Sequence, residues 1–347
     1  MSDAPAPQPG PPRSAVRQLA ATAEEAGQRL DRFVAKALPQ VPLSHVFRLI
    51  RKGEVRVNGK RAAGSRRLLA GDIVRLPPVR TLPPAGEAGG SPAPRRVPPK
   101  LVEEMRAAII HRDASLLVVN KPAGVAVHGG SGVSFGVIEA LRAAFPDETL
   151  ELAHRLDRDT SGCLLVARKA SALRTLHALL REHEFEKRYL ALLVGKWELG
   201  KKRIDSPLRT DLRFKGERTV RVQAGGKSAI SDFRPVQFFG RTATLVEVSI
   251  RTGRTHQIRV HAAHAGHPVA GDDKYGDAQA NEALAACGLR RMFLHASSVS
   301  FVWPQSGTEF SANAPLPPDL AEVIDRLAAT PVRGPRSPRR AAPRRAR

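Results

Sequence analysis

The stretch His154–Gly162 reads HRLDRDTSG and lies between the apolar Leu152 and a strand-like run that begins at Cys163. It interleaves two carboxylates, Asp157 and Asp159, with two arginines. Neighbouring guanidinium groups favour the charged form of a carboxylate, which suits a nucleophile or a general base. Asp, Thr, Ser and Gly are also ordinary turn residues. The stretch therefore predicts either a reactive site or a capped loop.

A phosphatase interpretation of the same aspartates fits less well. Haloacid-dehalogenase-type phosphatases also carry two aspartates separated by one residue, and these bind magnesium. Their pattern has a hydrophobic strand just before the first aspartate and Thr or Val two places after the second. Here His154 and Arg155 precede Asp157, and Ser161 occupies the later position. The stretch departs from the phosphatase pattern on both sides.

A second polar stretch, Gly253–Pro268, reads GRTHQIRVHAAHAGHP and predicts a helix. Thr255 is a suitable N-cap and Gly266 a suitable stop, with about ten residues between them. His261 and His264 share one face of that helix, so a metal site has to be considered. No Asp or Glu accompanies them in the spacing of a zinc protease helix. We therefore expect packing histidines and no metal ion.

A third stretch, FEKRYLAL at Phe185–Leu192, places Tyr189 at the start of a predicted strand, between basic residues and an apolar run. An aromatic ring near cationic groups is a surface on which an extruded base can stack. A buried strand tyrosine is the simpler interpretation of this residue.

The composition indicates a polyanionic partner. The chain of 347 residues carries 56 Lys and Arg against 33 Asp and Glu, a net charge of +23, and the basic residues are clustered. Nucleic acid is the expected partner, although compositional bias toward Arg is an alternative. Two cysteines are too few for a disulfide framework, and no apolar stretch reaches the about 20 residues of a membrane span. We expect a cytoplasmic protein.

The chain divides by composition into five segments. Two short helical patterns followed by strands and an Asn58-Gly59 turn predict a compact α+β module. Beyond it, helical patterns near Val137–Ala144 and Ala172–Glu182 alternate irregularly with strand patterns, which favours a mixed, mainly antiparallel sheet with flanking helices. The predicted segments are a loose Pro-rich arm (1–20), the small module (21–78), a Pro- and Gly-rich linker (79–105), the main α+β domain (106–328) and an Arg-rich tail (329–347).

Taken together, these stretches resemble the pseudouridine synthase family that includes the ribosomal large-subunit enzymes. The resemblance covers about residues 109–320, and residues 29–76 are similar to an S4 domain, a small RNA-binding module. Besides HRLDRDTSG, the motifs that carry it are NKPAG at 120–124, Lys187-x-Tyr189, GRTHQIRVH at 253–261, GHP at 266–268 and LHA at 294–296.

The resemblance implies isomerisation of uridine to pseudouridine within an RNA chain, without metal or organic cofactor. It implies that Asp157 is the catalytic aspartate, by attack on the sugar C1′ or by removal of a sugar proton, with Asp159 as a bystander. Arg259 matches the arginine that pairs with this aspartate. An isolated buried carboxylate would tend to take up a proton.

The family pattern also assigns base-binding residues. Tyr189 matches the ring that stacks on the target uracil, and it can take the C5 proton at the end of the reaction. Arg155 matches the residue that fills the gap left by the flipped nucleotide. Leu294 is expected beneath the base, and Lys187 is expected to support the pocket.

The S4-like module is expected to add affinity through phosphate contacts. The implied partner is 23S ribosomal RNA or its large-subunit precursor, bound by a monomer without an obligatory protein partner. A non-catalytic S4-type RNA-binding or ribosome assembly protein is the alternative. The basic residues that cluster on and after the second predicted helix are Arg48, Arg51, Lys52, Arg56, Lys60 and Arg61.

Overall fold

The computed structural model describes residues 16–39, 41, 43–79, 96–129, 135–212 and 218–329. The chain separates into two compact units, Met1–Arg96 and Val97–Arg347, each with its own core. The residues before 16, most of the predicted linker and the Arg-rich tail after residue 329 lie outside the described part.

The first unit is a small α+β module whose strands form an antiparallel sheet in the order β1-β3-β2. Asn58 and Gly59 have φ values of 50° and 75°, which is the backbone of the tight turn that the sequence predicts there. Its elements are β1 (Arg17–Ala20), α1 (Leu30–Ala37), α2 (Leu43–Lys52), β2 (Arg56–Val57) and β3 (Ile73–Leu76).

The predicted loose arm 1–20 is wrong at its end. Residues Arg17–Ala20 form strand β1, and Arg17 pairs with Leu76 of β3. The short segment has few large apolar residues, and a partner 59 positions further along supplies its backbone hydrogen bonds. A composition argument cannot detect such a distant partner.

The second unit is built on a large mixed sheet flanked by helices, as the sequence predicts. Its helices are α3 (Pro99–Ala107), α4 (Val137–Ala144), α5 (Ala170–Glu182), α6 (Gln257–His264), α7 (Ala278–Ala285) and α8 (Pro318–Ala329). Its strands are β4 (Ile109–Arg112), β5 (Leu116–Lys121), β6 (Glu151–Leu152), β7 (Ser161–Ala167), β8 (Glu186–Val194), β9 (Lys202–Asp205), β10 (Leu208–Leu212), β11 (Arg218–Val222), β12 (Ile230–Phe239), β13 (Ala243–Ile250), β14 (Leu294–Val302) and β15 (Glu309–Asn313).

Ten strands of the described residues form this sheet, in the order β4-β5-β7-β14-β8-β13-β12-β9, with β6 beside β7 and β15 beside β14. The β7–β14 pair is parallel and the other neighbouring pairs are antiparallel. Strands β10 and β11 form a separate hairpin. The mixed, mainly antiparallel class is confirmed.

Strand β7 shows how the sheet is covered on both faces. All of its residues are buried, and successive side chains join different cores. Leu164 and Val166 pack in one core, whereas Cys163, Leu165 and Ala167 pack in the other. Because side chains alternate across a strand, this pattern places β7 between two layers.

The predicted linker 79–105 is too long at its C-terminal end. Helix α3 occupies Pro99–Ala107, and its Met105 is fully buried in the core of the second unit. Arg106 donates a hydrogen bond to the carbonyl of Ala144, 3.0 Å away, at the end of α4. The run of prolines before the helix suggested a linker, and Pro99 instead starts the helix.

Gly162 lies opposite Ala296 of the parallel strand β14, at a close backbone approach. Its φ is +110°, and a Cβ there would lie 2.2 Å from the Ala296 carbonyl oxygen. We expect Gly162→Ala to lower the free energy of unfolding by about 3 kcal/mol or more, from steric conflict and backbone strain. Urea denaturation followed by circular dichroism measures this loss.

Gly307→Ala is the matched control for this substitution. Gly307 also has a positive φ, +67°, but no atom lies within 4 Å of a Cβ built on it. Its substitution should cost about 1–2 kcal/mol, from the backbone alone. Equal losses in the two variants would show that the approach of Gly162 to Ala296 is not tight.

Candidate active site

One cavity of the second unit gathers five of the residues that the sequence singled out. Asp157, Arg155, Tyr189, Arg259 and Leu294 all line it. The loop before β7 supplies the first two, β8 and β14 supply the tyrosine and the leucine, and α6 supplies Arg259. Residues more than 100 positions apart in the chain therefore share one site.

The strand register explains why these side chains face the cavity. Tyr189 lies opposite Val248 of β13 and Ala296 of β14. With Leu294 and Ile250, it belongs to the core on one face of the sheet. Apolar side chains thus form the floor of the cavity, and the polar groups come from the loop before β7 and from helix α6.

Arg259 is shared between two carboxylates. Its Nη1 lies 3.4 Å from Oδ2 of Asp157. Its Nε and Nη2 donate to the two carboxylate oxygens of Asp272, at 2.7 and 2.8 Å. The Asp272 side chain has no exposed surface, whereas that of Asp157 is 17% exposed toward the cavity. Asp272 therefore anchors the guanidinium, and Asp157 is the carboxylate that a ligand can reach.

Asp272 remains charged although it is buried. Burial by itself raises the pKa of a carboxyl group, but here the hydrogen bonds and charge of Arg259 outweigh it. The backbone amides of Lys274 and Tyr275 also donate to Oδ1, at 2.8 and 3.1 Å. Together these groups lower the pKa of Asp272 below its usual value.

A histidine and a tyrosine complete the polar wall. His256, the residue before α6, has a left-handed backbone with φ 54°. Its Nδ1 lies 2.8 Å from Oη of Tyr275, and its Nε2 lies 3.9 Å from Oδ2 of Asp157. The guanidinium carbon of Arg259 lies 5.1 Å from the centre of the Tyr275 ring. Burial lowers the pKa of His256, so the neutral imidazole is favoured beside Asp157.

The helix boundary differs from the prediction. The N-cap position of α6 is His256, not Thr255, and its strained conformation turns the chain from β13 into the helix. Local propensity favours Thr at an N-cap, but the contact of His256 with Tyr275 fixes the turn one residue later. The predicted C-terminal end of the helix lies close to the observed one, since α6 ends at His264 and Gly266 follows with φ +81°.

Lys121 fixes the loop that carries Asp157. Its side chain is fully buried, and its Nζ donates to the carbonyl oxygens of Pro122, Val125 and Arg158, at 2.7, 2.8 and 2.9 Å. The Arg158 carbonyl directly follows Asp157 in the chain. One ammonium group thus ties the end of β5 to the loop before β7.

Several buried groups near the cavity have shifted pKa values. Burial lowers the pKa of Lys121 to about 7, while the nearby charges of Asp159 and Asp157 act in the opposite direction. Burial, aided by the charge of Arg254, lowers the pKa of Lys187 to about 8. Burial also raises the pKa of Tyr189, and the charge of Asp157 adds to this, so the phenol keeps its proton at neutral pH.

Some predicted residues lie outside the cavity lining. Lys187 is on β8 behind Gly253, with its Nζ 3.9 Å from the position of a Cβ on that glycine. Asp159 is 45% exposed and pairs with its neighbour Arg158. The basic residues Arg48, Arg51, Lys52, Arg56 and Lys60 belong to the first unit, where all of them are exposed.

Of the two histidines of α6, His261 is buried within the fold, whereas His264 is exposed, so the expectation of packing histidines is wrong for His264. The two ring nitrogens of His261 lie 2.9 Å from Ser231 Oγ and 3.0 Å from the Ser206 carbonyl oxygen. Among the residues that the structure describes, no group of three or more His, Cys, Asp and Glu side chains is arranged to hold a metal ion.

Sequence reasoning missed four residues of this site: Lys121, His256, Asp272 and Tyr275. Lys121 and His256 lie within the motifs NKPAG and GRTHQIRVH but received no role, and the run GDDKYG at 271–276 signalled Asp272 and Tyr275 only as a cluster of turn residues with two carboxylates and a tyrosine. Their roles depend on contacts with distant residues, so the local pattern does not reveal them.

The Asp272–Arg259 pair gives a stability prediction. Asp272→Asn keeps the shape of the side chain but removes the charge opposite a buried guanidinium. Loss of one partner of a buried ion pair costs about 3–5 kcal/mol, and we expect a loss near the lower end because Asp157 remains. Urea denaturation measures the change.

Asp319→Asn is the control, because Asp319 makes a similar two-oxygen contact with Arg291 at 2.7 and 3.2 Å but is 55% exposed. In Asp319→Asn the free energy of unfolding should fall by about 0–1 kcal/mol. If the free energy of unfolding falls by the same amount in both variants, burial does not strengthen the contribution of the Arg259–Asp272 pair to stability.

Lys121→Met tests the loop attachment. The substitution leaves three carbonyl oxygens without their ammonium donor, and we expect the free energy of unfolding to fall by about 2–4 kcal/mol. Lys196→Met is the exposed control and should change it by about 0.5 kcal/mol or less. An unaltered stability in Lys121→Met would contradict the structural role of these hydrogen bonds.

Comparison with known proteins follows the same division into units. A family model described as RNA pseudouridylate synthase matches residues 115–264, and a model described as S4 domain matches residues 28–74. The human RNA pseudouridylate synthase domain containing 4 shares the fold, with a TM-score of 0.55 and 24% identity over 66% of this chain and 96% of that chain.

Among the helices of the described residues, none is both long and apolar enough to cross a membrane.

Curated relatives match nearly the whole chain. Ribosomal large subunit pseudouridine synthase C of Pasteurella multocida is 48% identical over 90% of this chain and 94% of its own length. The protein of the same name from Escherichia coli is 48% identical over 90% of this chain and 97% of its own length. The chain therefore belongs to the RNA pseudouridylate synthase family and carries an S4 domain in addition to its synthase domain.

Proposed function

We propose that this chain isomerises uridines of the large-subunit ribosomal RNA, 23S rRNA, to pseudouridine. In that reaction the bond from N1 to C1′ breaks, the uracil rotates, and C5 bonds to C1′. C5 loses its proton and N1 gains one, so no cofactor is consumed. The observation that carries the proposal is the carboxylate of Asp157, held by Arg259 at the edge of a cavity floored by Tyr189 and Leu294.

In this proposal Asp157 supplies the anionic oxygen that acts on the sugar. Arg259 approaches only Oδ2 of this carboxylate, through Nη1. The guanidinium is itself held by Asp272, so it orients Asp157 from a fixed position. Asp159, two residues on, points to Arg158 and has no such support.

The base is proposed to stack on Tyr189, with Leu294 also beneath it. Both side chains are buried on the floor of the cavity, and a flat apolar surface of this kind suits a pyrimidine ring. Because its pKa is raised, Tyr189 presents a neutral phenol to the uracil. Arg155 is exposed at the cavity and is proposed to fill the gap that the flipped nucleotide leaves in the RNA.

The alternative, a non-catalytic RNA-binding or ribosome assembly protein, has less support. A degenerate synthase domain would be expected to lose at least one member of the Asp157, Tyr189 and Arg259 set. All of them are present on one cavity, together with the buried Asp272 that orients the arginine. The intact set favours catalysis.

The partner and the compartment follow from the same proposal. An S4 domain and a net charge of +23 suit a polyanionic RNA. We propose that the chain works as a cytoplasmic monomer on 23S rRNA or its precursor, without an obligatory protein partner.

Asp157→Ala is expected to abolish isomerisation while RNA binding persists. The assay is release of tritium from 5-tritiated uridine in rRNA, and the loss should be at least about 10³-fold, as for other residues that act directly on the reacting atoms. A filter-binding assay on the same RNA measures affinity, which should stay within about threefold, since one small side chain is a minor part of an RNA interface.

Asp159→Ala is the matched control, because it removes a carboxylate from the same loop. This variant should retain measurable turnover, since Asp159 is paired with Arg158 and does not line the cavity. Equal and complete loss in both variants would refute the assignment of Asp157. Full activity of Asp157→Ala would refute the proposed reaction mechanism altogether.

A further inference from the structure

The first unit contains an open groove that the catalytic proposal does not use. It has a volume of about 470 Å³, within the range of about 300–1,000 Å³ typical of small-ligand sites. Its lining combines one aromatic ring and two arginines with small side chains: Phe47, Ile50, Arg51, Arg61, Ala62, Ala63 and Gly64. We call it the S4 groove.

Phe47 is exposed although it lies on a helix with a well-defined buried face. On α2, Val46, Leu49 and Ile50 are buried in the core of the unit, whereas Phe47 is 50% exposed. Arg51 follows Phe47 by four positions and therefore lies on the same side of the helix. A phenyl ring beside a guanidinium is thus presented to the groove instead of to the core.

Arg61 lines the groove next to Arg51. Its Nη2 donates to the carbonyl oxygen of Arg51, 3.0 Å away. Its Nε lies 2.3 Å from the position that a Cβ on Gly53 would occupy, and Gly53 has φ +75°. The Arg61 guanidinium thus packs against the backbone of Gly53 while it donates to the Arg51 carbonyl oxygen, and both contacts place it at the groove.

The charge of the groove has one sign. Its lining includes two arginines and no carboxylate. Asp31 lies behind Gly64, but it is buried and pairs with Arg29 at 2.5 Å. Arg48 and Lys52, on the same helix as Phe47, are exposed as well. A groove lined by an aromatic ring and two arginines, with no carboxylate in its lining, suits a ligand that carries both a flat ring and an anion.

We propose that the S4 groove binds one unpaired nucleotide of the RNA, with its base on Phe47 and its phosphate between Arg51 and Arg61. This inference rests on the proposed function. It adds an RNA contact that is remote in sequence from the catalytic residues. A duplex would satisfy the arginines but not the ring, because its bases are already stacked. The groove therefore favours RNA that carries an unpaired, exposed base over RNA that is fully paired.

RNA affinity of the full chain provides the first test. Phe47→Ala should raise the Kd for a single-stranded oligoribonucleotide about 5- to 100-fold, the range for loss of one base–aromatic stack. Phe47→Trp keeps a stacking surface and should bind within about twofold of the unsubstituted chain. Phe238→Ala is the matched control, because Phe238 is also 50% exposed but belongs to β12. This control should leave Kd unchanged.

Fluorescence provides a direct test of stacking. In Phe47→Trp the new indole should lose emission when the single strand is added, and should keep it with a fully paired duplex of the same length. The unsubstituted chain, with its own tryptophans, supplies the baseline. Equal quenching by the two RNAs would overturn the proposed choice of an unpaired base.

Two other outcomes would also overturn the proposal. One is an unchanged Kd in Phe47→Ala. The other is an altered oligomeric state of that variant with unchanged RNA affinity, which would assign the groove to a protein contact. Tritium release by the unsubstituted chain tests the catalytic proposal separately. Its absence would reject the isomerase, whereas normal release with an unchanged Kd in Phe47→Ala would reject the S4 groove alone.

Discussion

One buried guanidinium, that of Arg259, determines the chemistry of the cavity. Two carboxylates share it, and they differ in burial: Asp272 is fully enclosed and makes two short hydrogen bonds, whereas Asp157 makes one longer contact. A positive charge could not remain in this position without a fixed counter-ion. The enclosed aspartate supplies that counter-ion, and the second carboxylate is left oriented and accessible.

The fold separates rigid and adjustable parts of this arrangement. Tyr189 and Leu294 stand on central strands whose register is fixed by neighbours on both sides. Asp157 lies on a loop, so no strand pairing fixes its position. The side chain of Lys121 holds this loop in place, because its Nζ donates a hydrogen bond to the Arg158 carbonyl oxygen. The loop that carries Asp157, the proposed catalytic residue, is thus attached to the end of β5.

Short-range patterns predicted some elements of the second unit, among them helices α4 and α5 and strand β7, and left most of its strands unpredicted. Helix α4 has the predicted limits, Val137–Ala144, because its apolar spacing is unambiguous. The motifs also identified Asp157, Tyr189 and Arg259, which the structure brings together. Asp272, Lys121 and strand β1 escaped prediction, since each acquires its role from a three-dimensional contact that no local sequence pattern shows: Asp272 with Arg259, Lys121 with the Arg158 carbonyl oxygen, and β1 with β3. The left-handed His256 escaped for the same reason, because its contact with Tyr275 overrides local propensity.

The single contact between Arg259 and Asp157 has a consequence for inhibitor design. Nε and Nη2 of the guanidinium are already occupied by Asp272, so Nη1 is the nitrogen that reaches Asp157. An anionic compound entering the cavity would compete with Asp157 for that nitrogen and would also be repelled by the carboxylate. In the proposed reaction C1′ of the ribose lies at Asp157, so a compound with a protonated nitrogen in place of C1′ would instead gain a favourable charge interaction with this carboxylate.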